Sequence, residues 1–141
     1  MLDPITVSVL QLRLEAIVQE MGEAMLRTAY SQILNSSRNF STAVCDGAGR
    51  LTAQAEHLPI HVGAMPWAVQ SIREFFTGRI QPGDMFLLND PYHGGNHLPD
   101  LTVLLPVFLN RSTRDWYTQA ATFACSSAAM FSTAVVTADS K

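Results

Sequence analysis

Lysine is almost missing from this chain: Lys141 is the only one, and nine basic residues face twelve acidic ones for a formal net charge of −3. No Lys/Arg block occurs, so the clustered positive surface that a phosphate backbone requires is not there, and nucleic acid is excluded as an expected partner. Cysteine is scarce too. Cys45 and Cys125 lie far apart without metal-type spacing, which argues against a disulfide framework. No apolar run reaches the roughly 18 residues of a membrane span. The first twenty residues lack a basic leader region, and Gln11, Arg13 and Glu15 interrupt their apolar positions. No membrane association is expected, and the default location is cytoplasmic. No G-x-S-x-G elbow, P-loop or dinucleotide fingerprint occurs, and Gly94-Gly95 does not lead into a helix-forming pattern.

The 141 residues are 48% apolar, enough to build the core of one domain. Asp3-Pro4 is a helix start, because the aspartate can cap free amides and proline suits the first helical position. Apolar residues from Ile5 to Leu26 then recur at helical spacing, so a long amphipathic helix is predicted to about Tyr30. Residues 35–40 look turn-like, and 41–45 and 50–54 flank Asp46-Gly47-Ala48-Gly49 as a β-hairpin. A connector carrying His57 and His61 precedes a second helix expected from Met65-Pro66 to near Gly78. Strands are expected at 85–88, at 101–109 with Pro106 near an edge or bulge, and at 116–123. From 124 on, the small residues follow neither period. The fold class is therefore α+β: a long N-terminal helix, a β-hairpin, a second helix, then mixed strands with a His/Asp/Gly-rich loop. The domain division is 3–123, with 124–141 as a divergent or truncated tail.

That loop, Leu88 to Asp100, reads LNDPYHGGNHLPD and holds two carboxylates, two histidines, two asparagines, two glycines and two prolines. Imidazole and carboxylate are the usual ligands of a borderline divalent metal, and paired glycines allow a tight turn or a close backbone approach. The same composition also suits an ordinary structural loop. The four histidines form two pairs spaced by four, His57/His61 and His93/His97, with Asp100 three beyond His97. Pro59 interrupts the first pair and Gly94-Gly95 the second, so all four are expected in loops rather than on one helix face. His97 and Asp100 are the leading ligand pair. A catalytic metal takes about three protein ligands, so another must come from elsewhere, with His61, His93, Asp90 and Cys125 the candidates and His57 next. Asp90 could equally brace the turn, and Cys45 reads as a buried, inert thiol.

Three stretches carry a family resemblance: Asp3-Pro4 with RLEAIVQEMGEAMLRTAYS, the run FSTAVCDGAGRLTAQAEHLPIHVGAMP at 40–66, and PGDMFLLNDPYHGGNHLPDLTVLLPVF. Over roughly residues 3–109 the chain resembles the N-terminal part of the hydantoinase B/oxoprolinase family, whose members include N-methylhydantoinase B, the B-type half of 5-oxoprolinase and an acetone carboxylase subunit. The resemblance implies a B-type component of an ATP-dependent hydrolase opening small cyclic amides such as 5-oxoproline or hydantoins. A hydantoinase A-type partner would bind the ATP.

It also implies a divalent metal, Mn or Zn, held by His97 and Asp100 as an H-x-x-D element. A further histidine belongs in a following R-A-H-x-x-D-x-G-G pattern. This chain reads Phe123-Ala124-Cys125-Ser126 there, so Cys125 takes the third ligand's place. Asp90, His61 and His57 are the catalytic candidates, and Arg38 is a secondary one. Family members are several-fold longer, so the chain is expected to be an incomplete part of a larger domain with little or no activity alone. A non-catalytic assembly subunit, a degenerate gene product and a ketone carboxylase fragment are the alternatives.

Overall fold

Asp3 and Pro4 begin the first element as their chemistry dictates. The structure, a computed structural model, describes residues 3–30, 32–55, 59–108 and 116–124, the last of these as backbone. Helix α1 runs Pro4–Thr28, with Asp3 Oδ1 accepting from the Ile5 amide at 2.8 Å and Pro4 in the first turn. At the other end the Ala29 amide donates to the Met25 carbonyl. Val18 and Met21, flanked by Leu14 and Ile17, pack on Val44, Ala53 and Ala55 of the hairpin. The N-terminal half behaves differently. Val7 and Leu10 continue the packed face, whereas Ile5, Val9 and Leu12 lie on the opposite one, and all five are exposed.

A six-residue helix, α2 (Gln32–Ser37), occupies part of the stretch expected to be turn-like. The hairpin follows as expected: β1 (Phe40–Cys45) and β2 (Leu51–Ala55) pair antiparallel. Asp46 organises its turn by accepting from the amides of Ala48 and Arg50, both at 2.9 Å, and Gly49 supplies a positive φ of 80°. The second helix departs from expectation. It starts at Pro59, not Met65, so α3 (Pro59–Phe75) takes in His61 and carries Pro66 in its interior. Pro59 is therefore a helix-starting proline and not an interruption, and His61 is not a loop residue. Interior Pro66 forfeits one helical hydrogen bond, a cost offset by the burial of Met65, Ala68, Val69 and Ile72 on the sheet.

Strands β3 (Phe86–Leu88), β4 (Asp100–Phe108) and β5 (Trp116–Ala124) complete one sheet in the order β2-β1-β5-β4-β3. Every pairing is antiparallel, which refines the expected mixture of strands. Pro106 lies beyond the last β3 partner, Leu104, where β4 keeps β5 as its neighbour and a missing N–H costs least. Strand β1 is buried on both faces. Val44 faces α1, Ala43 and Cys45 face α3, and the Thr42 hydroxyl donates to the Val18 carbonyl at 2.7 Å. Two helices thus sandwich one sheet, and the α+β class stands. Among the described residues no helix is long and apolar enough to cross a membrane. The tail from 125 on lies outside the described residues.

Candidate functional site

Asp100 opens β4, and the period of the strand decides where it points. Asp100, Thr102 and Leu104 alternate inward, and Leu104 belongs to the core under α3, so the carboxylate faces that helix. The H-x-x-D spacing then closes a turn. The Asp100 amide donates to the His97 carbonyl at 2.9 Å, which folds the imidazole back until its Nδ1 is 2.9 Å from Asp100 Oδ2. From the first turn of α3, His61 reaches the same oxygen with Nε2 at 3.7 Å. Side-chain exposure runs from 62% at His97 to 5% at Asp100 and 3% at His61, so the three form a line from solvent into the interior. Burial pushes the His61 imidazole below its ordinary pKa, against the opposing pull of the Asp100 carboxylate. Its Nδ1 has no hydrogen-bond partner.

The loop that presents this turn is tightly built. Asp90 Oδ1 accepts from the Tyr92 amide at 2.9 Å, and its carbonyl accepts from His93 and Gly95 at 3.0 and 2.8 Å. The Asn89 side chain donates to the Leu98 carbonyl at 3.0 Å, tying the two ends of the loop together. Gly94, at φ 101°, sits so near α3 that a Cβ there would lie 2.2 Å from the Ala68 amide nitrogen. Asp90 Oδ2 meets His93 Nδ1 at 2.6 Å, a second Asp/His pair whose ring rests edge-on against Phe75. That hydrogen bond, with the one from the Tyr92 amide, holds the Asp90 carboxyl below the usual carboxylate range.

Of the residues singled out by sequence, His97 and Asp100 are brought together and His61 joins them. Asp90 instead pairs with His93. His57 and Cys125 lie outside the described residues. Arg38 is exposed at the foot of β1 with a φ of 48°. The sequence reading missed the contact between His61 and Asp100; the signal for it was Pro59, whose place at a helix start fixes where residue 61 points. A surface depression bordered by Gln70, Arg73, Glu74, Thr77 and Phe108 includes none of these residues.

Chemically, an imidazole whose Nδ1–H is held by a carboxylate presents Nε2 outward. There it can exchange a proton or donate a lone pair to a cation. Among the described residues no three His, Cys, Asp or Glu side chains are grouped to hold a metal ion.

Comparison with known proteins places this arrangement in context. The family model described as hydantoinase B/oxoprolinase matches residues 3–130. The 5-oxoprolinase PfmaA of Pestalotiopsis fici is 40% identical over 109 residues, covering 77% of this chain and 8% of that protein. The 5-oxoprolinase of Saccharomyces cerevisiae is 36% identical over 107 residues, again 76% of this chain and 8% of its own length. Among solved structures, the ATP-dependent caprolactamase of Pseudomonas jessenii superposes with a TM-score of 0.80 at 28% identity, over 89% of this chain and 21% of that one. The chain thus spans less than a tenth of the length of these two oxoprolinases.

Proposed function

Because the chain belongs to the hydantoinase B/oxoprolinase family, we propose that it serves as a B-type component of an ATP-dependent enzyme that opens small cyclic amides such as 5-oxoproline or hydantoins. Two kinds of relative support this reading. Oxoprolinase and caprolactamase are both named for a substrate whose amide is closed into a ring. The sequence carries no nucleotide-binding motif, so the ATP step falls to a hydantoinase A-type partner. The chain alone is accordingly expected to turn nothing over.

We assign His97 and Asp100 to a divalent cation, Mn or Zn, and the observation that carries the assignment is their 2.9 Å contact at the start of β4. An exposed imidazole beside a buried carboxylate fits the donor preference of such ions. No third donor is grouped with them among the described residues, and Cys125 is the candidate outside those. A cation held there would supply Lewis-acid polarisation of a carbonyl or phosphoryl oxygen. Asp100 orients the His97 ring, His97 meets solutes arriving from solvent, and the braced loop from Asn89 to Gly95 shapes the approach.

Calorimetric titration with Mn²⁺ or Zn²⁺ tests the assignment. One ion per chain is expected for the native protein and none for His97→Ala; a non-catalytic assembly subunit would be indifferent to that change. The reaction class is tested with the A-type partner, ATP and metal supplied. ADP formation that depends on 5-oxoproline or hydantoin supports amide opening, whereas dependence on a ketone and bicarbonate transfers the chain to the carboxylase branch.

A further inference from the structure

His61 has no assigned role in that site, yet its placement restricts what it can do. Its ring is 3% exposed, behind an Asp100 side chain exposed to 5% and a His97 exposed to 62%. A solute arriving from solvent meets His97 first and the carboxylate next. The His61 nitrogens are sealed behind both, so direct contact with substrate is closed to this residue while contact with Asp100 is already made.

We propose that His61 is a positioning residue, whose Nε2–H faces Asp100 Oδ2 from the protein interior and fixes the rotation of the carboxylate that in turn holds His97. The inference rests on the site reading above and deepens it. Rotation of an aspartate carboxyl about its last bond is soft and roughly two-fold, so a single donor does not keep one oxygen in one place. His97 approaches Oδ2 from the solvent side at 2.9 Å, and His61 approaches the same atom from behind at 3.7 Å. At that length the second contact is a polar N–H facing a charged oxygen rather than a formed hydrogen bond, and the buried setting screens it weakly. Its direction is nevertheless set by rigid parts. His61 stands in the first turn of α3, whose Met65 and Ala68 pack on the sheet that carries Asp100. The bare Nδ1 agrees with this orientation, since a neutral ring that commits its one proton to Nε2 leaves Nδ1 as an acceptor without a donor.

The two nitrogens are distinguishable by experiment. Two-bond ¹H–¹⁵N spectra of the full native chain at neutral pH should find the His61 proton on Nε2; a proton on Nδ1 overturns the proposal. In His61→Gln the side-chain amide reaches the place of Nε2, whereas in His61→Asn it reaches only that of Nδ1. Mn²⁺ affinity, followed by electron paramagnetic resonance, should stay within about threefold of native for Gln and fall roughly 10- to 100-fold for Asn, the usual effect of losing a group behind a metal ligand. Equal affinities for the two variants also overturn the proposal, because packing alone would not tell them apart in this order. If the native chain takes up no Mn²⁺, the metal assignment fails, and the proton's position still decides the role of His61.

Discussion

Replacing Gly94 by alanine separates two costs that glycine avoids at this position. Its φ of 101° lies where a side chain is strained, which by itself costs about 1–2 kcal/mol. The added methyl would also stand 2.2 Å from the Ala68 nitrogen, 2.6 Å from its Cα and 2.7 Å from the Trp67 carbonyl carbon, all backbone atoms of α3. Ordinary contact begins at 3.4 Å, so the loop must retreat by roughly 1 Å or the helix must bend. Forcing such a shift on a packed element costs about 1–3 kcal/mol more. Gly78 supplies the control, because its φ of 71° is equally disfavoured and a Cβ there meets nothing within 4 Å. Gly78→Ala should therefore lose only the conformational part, and urea unfolding should show Gly94→Ala weaker than Gly78→Ala by about 1–3 kcal/mol. The retreat would carry the loop that leads to His97, so Mn²⁺ affinity should drop in Gly94→Ala and not in Gly78→Ala. Equal losses of stability in the two variants would refute the close approach of this loop to α3.

Burial raises the Cys45 thiol to about 11, so iodoacetamide at neutral pH should leave this residue unlabelled in the native chain and label it in guanidinium, as read by peptide mass spectrometry. Met65→Ala, in the core under α3 at 1% exposure, should cost about 2–5 kcal/mol, whereas Leu12→Ala, 65% exposed on α1, should change stability by less than about 0.5 kcal/mol in the same assay. The Asp90 carboxyl is held low by His93 and the Tyr92 amide, so its contribution is complete above the ordinary aspartate value of 3.8 and disappears as pH falls through the depressed one. The stability gap between the native chain and Asp90→Asn should accordingly be present at pH 6 and close in strong acid; a gap unchanged across that range would contradict the pairing.

Much of the fold was legible because single residues carry unambiguous signals. Asp3-Pro4 marks the start of α1, Asp46 to Gly49 marks the hairpin turn, and both elements form there. The start of α3 was misread for a reason that can be stated. Two prolines, Pro59 and Pro66, each suit a first helical turn, and a lone sequence does not say which of them the helix tolerates inside. Tertiary burial decides, because the face from Met65 to Ile72 packs on the sheet whether or not Pro66 donates a hydrogen bond. Strand order was beyond reach for a different reason. That β5 inserts between β1 and β4 depends on pairings between distant segments, which no local pattern records.

The same distinction separates the legible and illegible parts of the site. His97 and Asp100 are three apart, so a turn alone joins them, and their 2.9 Å contact follows from spacing. His61 arrives by way of another element, and only the packing of α3 on the sheet brings it to Asp100. One could suppose that the two imidazoles are there simply to satisfy a buried carboxylate, since a carboxylate exposed to 5% must have partners. The hydrogen bond from His97 already meets that need. A network built for stability alone would not then bury a second imidazole with its Nδ1 bare, because an unpaired polar atom in the interior costs about 1–3 kcal/mol. Such a local inconsistency belongs where function sets the requirement, and here it falls directly behind the residues assigned to the cation.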